Sequence, residues 1–341
     1  MPKRANGAAL VLAAALIGAA PVHAPAVPPT VLLHEAIAAP KNLSYVGEIQ
    51  VLRFGSQKTA ADVYRIEHRA PDLTRRWFLA PQSYYGDSVI SRGETTYSID
   101  VKRNKVVVAQ DDAIDDQVAE DDNFAVLNAN YNASFAPDDF VEGRRVHVIL
   151  LTNKYTGQMT MRIKTDAKTN LVLEKEIYAA NGALSTQERF EQIRYVQQIP
   201  SGIFDVPKGM QHVDGPSRGL PSSDLQHVIA AAGFKAQGPK YLPEGFTPVE
   251  GDVIDIKGVR TLHLLYSDGI RTVSLFQNQG SSDIGFENFK ATDTKVEKHE
   301  AKYTEDGSTL LLAWSESGLH FTLVGELSLA ELEKIAASVV P

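Results

Sequence analysis

The sequence predicts an α+β chain: an N-terminal curved antiparallel half-barrel wrapped on helices, then a smaller α+β domain. Three observations carry this. Between residues 44 and 195, apolar side chains recur at period 2 in many short segments, the pattern of half-buried strands. A Pro/Gly/Ser-rich stretch at 207–222 interrupts the series, as a linker does. Beyond it, strand patterns are framed by two short capped helices. At 341 residues the chain fits about two domains, since one core stops growing at roughly 250–300 residues. The expected division is a leader at 1–26, the half-barrel at 27–208, a linker at 209–222 and the smaller domain at 223–341.

The elements follow in order. Lys3 and Arg4 precede an uncharged apolar run from Ala8 to Ala20, shorter than the roughly 20 residues that span a bilayer. Ala24 and Ala26 then supply an A-x-A site, so the sequence predicts an export signal cleaved after Ala26. Its loss would take the formal charge from −8 to −10. Thr30 to Ala39 fits a short helix with Leu32, Leu33, Ala36 and Ile37 on one face. Strands are expected at 44–54, 62–68 and 74–79, three short ones within 88–109, then at 146–152, 160–164, 171–178 and 183–195. Asn181-Gly182 predicts a type I′ hairpin turn, which needs positive φ at both central residues. A solvated acidic loop is expected at 111–122, where seven of twelve residues are acidic, leading into a short helix at 123–131. It lacks the central Gly and the spacing of a calcium loop.

In the C-terminal part, Ser223 and Gln226 fit a capping box for a helix stopped by Gly233. Strands are expected at 246–249, 260–266 and 272–277, with turns at Asp268-Gly269, Asp306-Gly307 and Ser317-Gly318. Ser328 with Glu331 caps a last helix, stapled by Leu327 and Leu332 and apolar along Leu332, Ile335, Ala336 and Val339.

Composition and motifs exclude more than they assign. The chain has no Cys, so disulfides, thiolate metal sites, catalytic thiols and a lipid-modified N-terminal Cys are out of reach. Its acidity opposes broad nucleic-acid binding and suits a basic protein partner. No nucleophile elbow, HExxH helix, Walker loop or dinucleotide fingerprint occurs, and the histidines form no i, i+3 or i, i+4 pair. No cofactor and no metal site is implied. A binding protein is favoured over an enzyme.

An open curved sheet must bury one face on a helix, on a second sheet or around an apolar ligand. Tyr45, Ile49, Trp77, Tyr97, Tyr131 and Phe190 are candidates to line such a concavity; for any single one of them ordinary core packing is the stronger reading.

The residues also carry a resemblance. Asn123 to Gly209, with Gly143-Arg144, a D-x-x-T-N-L turn at 166–171 and F-D-x-P-K-G at 204–209, is similar to the second half of the LolA-like lipoprotein-sorting fold. The first half (SYVGEIQVLRFGS…YRIEHRAP) and the segments LPEGF at 242–246, LHLLYSDGIRTVSLF at 262–276 and LVGELSLAELEKIAASV at 323–339 resemble the RseB/MucB periplasmic regulators. The resemblance implies a LolA-like N-terminal domain and a non-enzymatic, soluble periplasmic role. In that role the protein binds the periplasmic segment of a membrane anti-sigma factor, senses lipid or envelope components and modulates an envelope-stress sigma factor. It points to the Tyr266, Ser267, Asp268, Gly269 hairpin as a candidate partner contact. A LolA-like periplasmic carrier of lipid or lipoprotein, taking acyl chains in its cavity, is the alternative.

Overall fold

The computed structural model describes residues 27–55, 59–93, 95–110, 121–214, 222–256, 258–280 and 290–339. The expected leader, the acidic run at 111–120 and residues 215–221 of the expected linker lie outside the described residues.

Helix α1 (Pro29–Ala38) starts with Pro29 at its first position, where the missing N–H would have had no helical partner anyway. A 3-10 turn at Ala39–Asn42 leads into β1 (Tyr45–Phe54), β2 (Thr59–Arg69), β3 (Leu73–Ala80), β4 (Ser88–Arg92), β5 (Thr95–Asp100) and β6 (Lys105–Gln110). Helix α2 (Asp121–Asn130) precedes β7 (Tyr131–Val141), β8 (Arg144–Asn153), β9 (Met159–Asp166), β10 (Val172–Tyr178) and β11 (Leu184–Tyr195). A second 3-10 turn (Ser201–Phe204) and β12 (Gln211–Asp214) follow. The twelve strands make one sheet in the order β12-β6-β5-β4-β3-β2-β1-β11-β10-β9-β8-β7. Only β12 pairs parallel, with β6. The ends carry different strands, so the sheet curves without closing, as the sequence predicts.

Helix α3 (Leu225–Ala231), β13 (Thr247–Ile256), β14 (Val259–Ser267), β15 (Thr272–Asn278), β16 (Thr292–Val296), β17 (His299–Asp306), β18 (Thr309–Glu316), β19 (Leu319–Gly325) and α4 (Leu329–Ser338) build a second, antiparallel sheet ordered β13-β14-β15-β19-β18-β17-β16. Its core is Leu262, Leu264, Leu275, Leu312 and Leu323, closed by Leu332, Ile335 and Ala336 of α4. Ser328 Oγ accepts the Glu331 N–H at 3.3 Å, the cap predicted from sequence. Each such buried aliphatic side chain contributes about 1.5–3 kcal/mol, which fixes α4 far better than its ten-residue length could.

Several local expectations are corrected. Only Gly182 of the Asn181-Gly182 pair has positive φ, at 80°. Ala179 O accepts from Gly182 N–H and the register shifts after Ile177. This is a tight turn closed by a glycine bulge rather than a type I′ turn. Helix α3 is capped by Asp224, whose side chain accepts from His227 N–H, one residue beyond the expected Ser223. Strand β7 has no counterpart in the sequence reading because Pro137 interrupts it. The strand tolerates that residue as an edge strand with a bulge between Ala136 and Asp139. Strand β12 forms within the expected linker.

The D-x-x-T-N-L turn has a clear physical basis. Asp166, 1% exposed, accepts hydrogen bonds from Lys168 N–H at 2.8 Å, Tyr195 Oη at 3.0 Å and Arg144 at 3.1 Å. Asn170 takes the left-handed conformation that turns the chain back, φ 62°.

Candidate functional site

The large sheet uses both faces. Residues directly opposed on neighbouring strands share a face. The register Phe190↔Ile49↔Tyr64↔Phe78 therefore places these four side chains together, on the side covered by α1. The register Arg65↔Trp77↔Ser88↔Ile99↔Val106 runs along the other side. There Ile90, Ile99 and Val106 pack under Ile199 and Phe204 of the chain leaving β11.

On the α1 side lies a cavity of about 240 Å³. Leu33, Ala36 and Ile37 of α1 and Pro40 roof it; Tyr45, Ile49, Tyr64, Ile66 and Phe190 form one wall; Met161, Ile163, Leu171 and Leu173 form another, with Leu127 of α2 at one end. Tyr45 stands edge-on to Phe190 at 5.9 Å and stacks on His68 at 4.9 Å. His68 Nε2 lies 2.9 Å from Pro40 O, and since a carbonyl only accepts, that nitrogen carries the proton. This bond pins the segment after α1 to the sheet. Gly47 is required here, because a Cβ would sit 2.4 Å from Gln192 O and 2.9 Å from the Phe190 ring.

Charged groups close the cavity. Arg76, Glu174, Lys175, Glu188 and Arg189 contribute to its lining. Glu188 pairs with Lys175 at 3.3 Å and accepts from Tyr64 Oη at 3.2 Å. Burial pushes the Glu188 carboxyl up, but Lys175 and Arg76 outweigh it and hold the group below the usual carboxylate range. Lys164 bridges Asp139 at 3.0 Å and Glu174 at 3.1 Å. Burial alone would depress the Lys164 ammonium, yet these two carboxylates raise it.

Three of the six sequence-predicted cavity residues, Tyr45, Ile49 and Phe190, line this space together. The other three stand elsewhere. Trp77 projects from the opposite face between the guanidiniums of Arg65 and Arg75, 5.5 and 5.7 Å from its ring. Tyr97 shares that face with Ile90 and Val108 and carries Arg92 over its ring at 5.6 Å. Tyr131 is 2% exposed and points to the second sheet. Sequence reasoning missed Tyr64, Ile66, Met161 and Ile163. All four alternate correctly along their strands, but the alternation does not say which face is concave.

The Tyr266–Gly269 hairpin is internal. Tyr266, Ser267 and Asp268 are 3%, 2% and 0% exposed. Asp268 accepts from Tyr131 Oη at 2.7 Å, and its carbonyl accepts from Asn130 Nδ2 at 3.0 Å. Asn130 Nδ2 also reaches Gly245 O at 2.7 Å. Gly269, at φ +96°, lies so close to α2 that a Cβ would come within 2.5 Å of the Leu127 backbone. Ile270 is inserted into the core formed by Leu33, Leu127, Tyr131 and Met161. The turn that the resemblance offers to a partner is thus the dowel joining the two sheets. Leu127 touches both dowel and cavity. A second contact joins Thr186 to Ser308 at 3.1 Å.

Beside this joint, the sheets enclose a cleft of about 930 Å³. Its walls include Tyr155, Thr160 and Tyr178 from the large sheet's side and Tyr241, Phe246, Arg271 and Leu310 from the other. Glu244, Glu305, Glu326 and Glu331 stand along it. Burial and the Glu176 carboxylate push the Tyr178 hydroxyl up to about 12.

The second sheet also holds a polar chain across three strands. Asp252 Oδ1 and Ser274 Oγ each lie 3.0 Å from His263, at Nδ1 and Nε2. The ring is 6% exposed and stacks flat on Phe276 at 4.6 Å. Covered in this way, the chain acts as a packed hydrogen-bond ladder. Among the described residues no group of three or more His, Asp or Glu is placed to hold a metal ion, and no helix is long and apolar enough to cross a membrane.

A family model described as a domain of unknown function (DUF4367) matches residues 238–339, most of the second sheet. No curated protein matches the sequence. Solved structures resemble nearly all of the chain. The crystal structure of MucB in complex with MucA(peri) superposes with a TM-score of 0.63 at 19% identity, over 92% of this chain and 99% of that one. The Pseudomonas aeruginosa MucA/MucB complex gives 0.63 at 19%, over 92% and 98%. MucB by itself gives 0.57 at 18%, over 91% and 96%. The chain has the RseB/MucB-like fold.

Proposed function

We propose that the protein is a periplasmic regulatory binding protein. It grips the periplasmic segment of a membrane anti-sigma factor, thereby modulating an envelope-stress sigma factor, and its apolar cavity senses lipid. The observation that carries this is the cleft of about 930 Å³ between the two sheets. It offers the exposed rings of Tyr155 and Tyr241, 53% and 39% accessible, beside four glutamates. That chemistry fits a basic, amphipathic peptide: aromatic rings supply the anchors and acidic groups steer the encounter. MucB, which shares the fold, is found in complex with MucA(peri), and this supports the class of partner. The role is read as non-enzymatic, in keeping with the binding complex formed by MucB, which shares the fold.

The alternative, a LolA-like carrier, would place the work in the cavity. At about 240 Å³ that space lies below the roughly 300–1,000 Å³ of ordinary ligand pockets, which favours a sensor over a carrier.

The test is titration calorimetry of the lipid-free protein with a soluble anti-sigma periplasmic segment. Binding should weaken with salt, and Glu244→Gln with Glu326→Gln should lower affinity about fivefold or more. No binding, or binding indifferent to both changes and to salt, overturns the proposal. Stoichiometric co-purified acyl lipid together with no peptide binding would favour the carrier.

A further inference from the structure

The turn between β3 and β4 (residues 81–87) and the turn between β5 and β6 (residues 101–104) form a single tip of the large sheet. Lys102 Nζ donates to the carbonyls of Gln82 and Ser83, each at 2.7 Å, and Asp87 Oδ1 accepts from Val101 N–H at 3.0 Å. Within the first turn, Tyr84 N–H donates to Pro81 O at 3.0 Å and Asp87 N–H to Tyr84 O at 2.9 Å. Turns tied this firmly are normally dressed in small polar residues. This one presents Tyr84, Tyr85 and Val101, 54%, 52% and 54% exposed. They are three of the seven exposed large apolar side chains among the described residues, so the two turns concentrate them.

The charge around them is equally selective. Arg103 is 82% exposed at its side chain, and Lys105 is half-buried beside it. Of the nearby acids, Asp87 accepts from Val101 N–H, and Asp100 accepts from Arg103 N–H at 2.8 Å and pairs with the Arg103 guanidinium at 3.2 Å, so Lys102, Arg103 and Lys105 stand against these two acids. In a chain of formal charge −8, this tip presents cations and amphipathic rings. Tyrosines with flanking Lys and Arg are the composition of a membrane interface, where rings sit among headgroups and basic groups meet anionic lipid.

We propose that the tip at 81–87 and 101–104 is a membrane-docking element that seats Tyr84, Tyr85 and Val101 in the headgroup layer of an anionic bilayer. Three side chains are too few for a stable protein interface, which needs roughly 800 Å² from each partner, but they suffice for reversible anchoring at a lipid surface. The aromatic rings also continue inward. Tyr84 packs on Phe78 at 6.2 Å and Phe78 on Tyr64 at 5.8 Å, and Tyr64 lines the cavity. A docked tip sets that aromatic track between the bilayer and the cavity.

The test is flotation of the full mature chain with vesicles of phosphatidylethanolamine and phosphatidylglycerol, and with phosphatidylcholine alone as the uncharged control. The wild type should float with the anionic vesicles and be released by salt. Tyr84→Ser with Tyr85→Ser and Val101→Ser should reduce the bound fraction at least about tenfold. Arg103→Gln and Lys105→Gln should each cost about fivefold on anionic vesicles only. Tyr85→Trp, a substitution at a ring free of packing on Phe78, should shift its fluorescence to the blue when anionic vesicles are added. The proposal is overturned if the wild type stays unbound, if the triple variant floats equally, or if the triple variant instead loses binding of a soluble anti-sigma segment in the absence of lipid, which would make the tip a protein contact. The peptide test of the proposed function contains no lipid, so either idea can fail without the other.

Discussion

The Tyr131 hydroxyl donates to the Asp268 carboxylate at 2.7 Å across the joint between the two sheets, with both groups buried. Asp268 also accepts from Ile270 N–H at 2.9 Å and Arg271 N–H at 2.7 Å, and pairs with Arg271 Nε at 3.3 Å. Burial and the Asp268 charge push the Tyr131 hydroxyl well above its ordinary range, so it serves as a donor at every physiological pH. Tyr131→Phe removes one donor of four and should cost about 1.5–3 kcal/mol. Asp268→Ala strands Tyr131 and Arg271 together and should cost about 3–5 kcal/mol. Because the two residues share one network, the double variant should lose less than the sum. Urea unfolding of the four proteins checks this, and strict additivity would show that the joint is not a unit.

Gly269→Ala tests how closely the dowel fits. An alanine there must adopt φ +96° and push its Cβ to 2.5 Å from the Leu127 backbone, where no side chain can yield. The strained backbone alone costs about 1–3 kcal/mol. Gly182→Ala, at φ +80° but with open space around it, should show only that strain. Limited proteolysis should therefore release the second sheet from the Gly269→Ala protein and leave the Gly182→Ala protein intact.

How much of this was legible in the sequence follows from what each signal encodes. The capped helix at Ser328 and most strands of both sheets were readable because caps and period-2 alternation are local. Strand β7 was not, because Pro137 and its bulge break the alternation that would have announced it. The cavity was half legible. Alternation puts Tyr45 and Ile49 on one side of their strand, but only cross-strand register decides that Phe190 joins them and that Trp77 opposes Arg65 rather than Tyr64. The role of Asp268 was hidden for a different reason. A turn sequence such as Ser-Asp-Gly looks exposed on every local criterion, and its burial depends on Asn130 and Tyr131, 138 and 137 residues away.

Face assignment makes its own prediction. Phe190→Ala and Ile49→Ala enlarge the cavity, each at about 2–5 kcal/mol, and should change the uptake of a fluorescent acyl probe. Trp77→Ala and Tyr97→Ala remove aromatic area from the opposite face and should leave uptake at the wild-type level. Probe titrations at matched folded fraction distinguish the two sets; a loss of uptake in Trp77→Ala would mean that the cavity communicates through the sheet.

Glu188 and Glu67, on opposite faces, should give the pH dependence of stability opposite signs. Glu188 is held below its ordinary 4.5 by Lys175 and Arg76 despite burial. In the window below 4.5 the unfolded chain binds more protons, so the contribution of Glu188 is present above that pH and is lost as pH falls through the folded value. Glu67 is raised above 4.5 because its burial outweighs Arg75 and Arg65. There the folded chain binds more protons, and stability is lost as pH rises from 4.5 through the raised value. Glu188→Gln should therefore match the wild type in acid and fall behind it at neutral pH. Glu67→Gln should match it in acid and overtake it at neutral pH. Urea midpoints measured from pH 3.5 to 7 read both differences directly. If the two variants diverge from the wild type in the same direction, burial does not dominate at Glu67 and the neighbouring guanidiniums do.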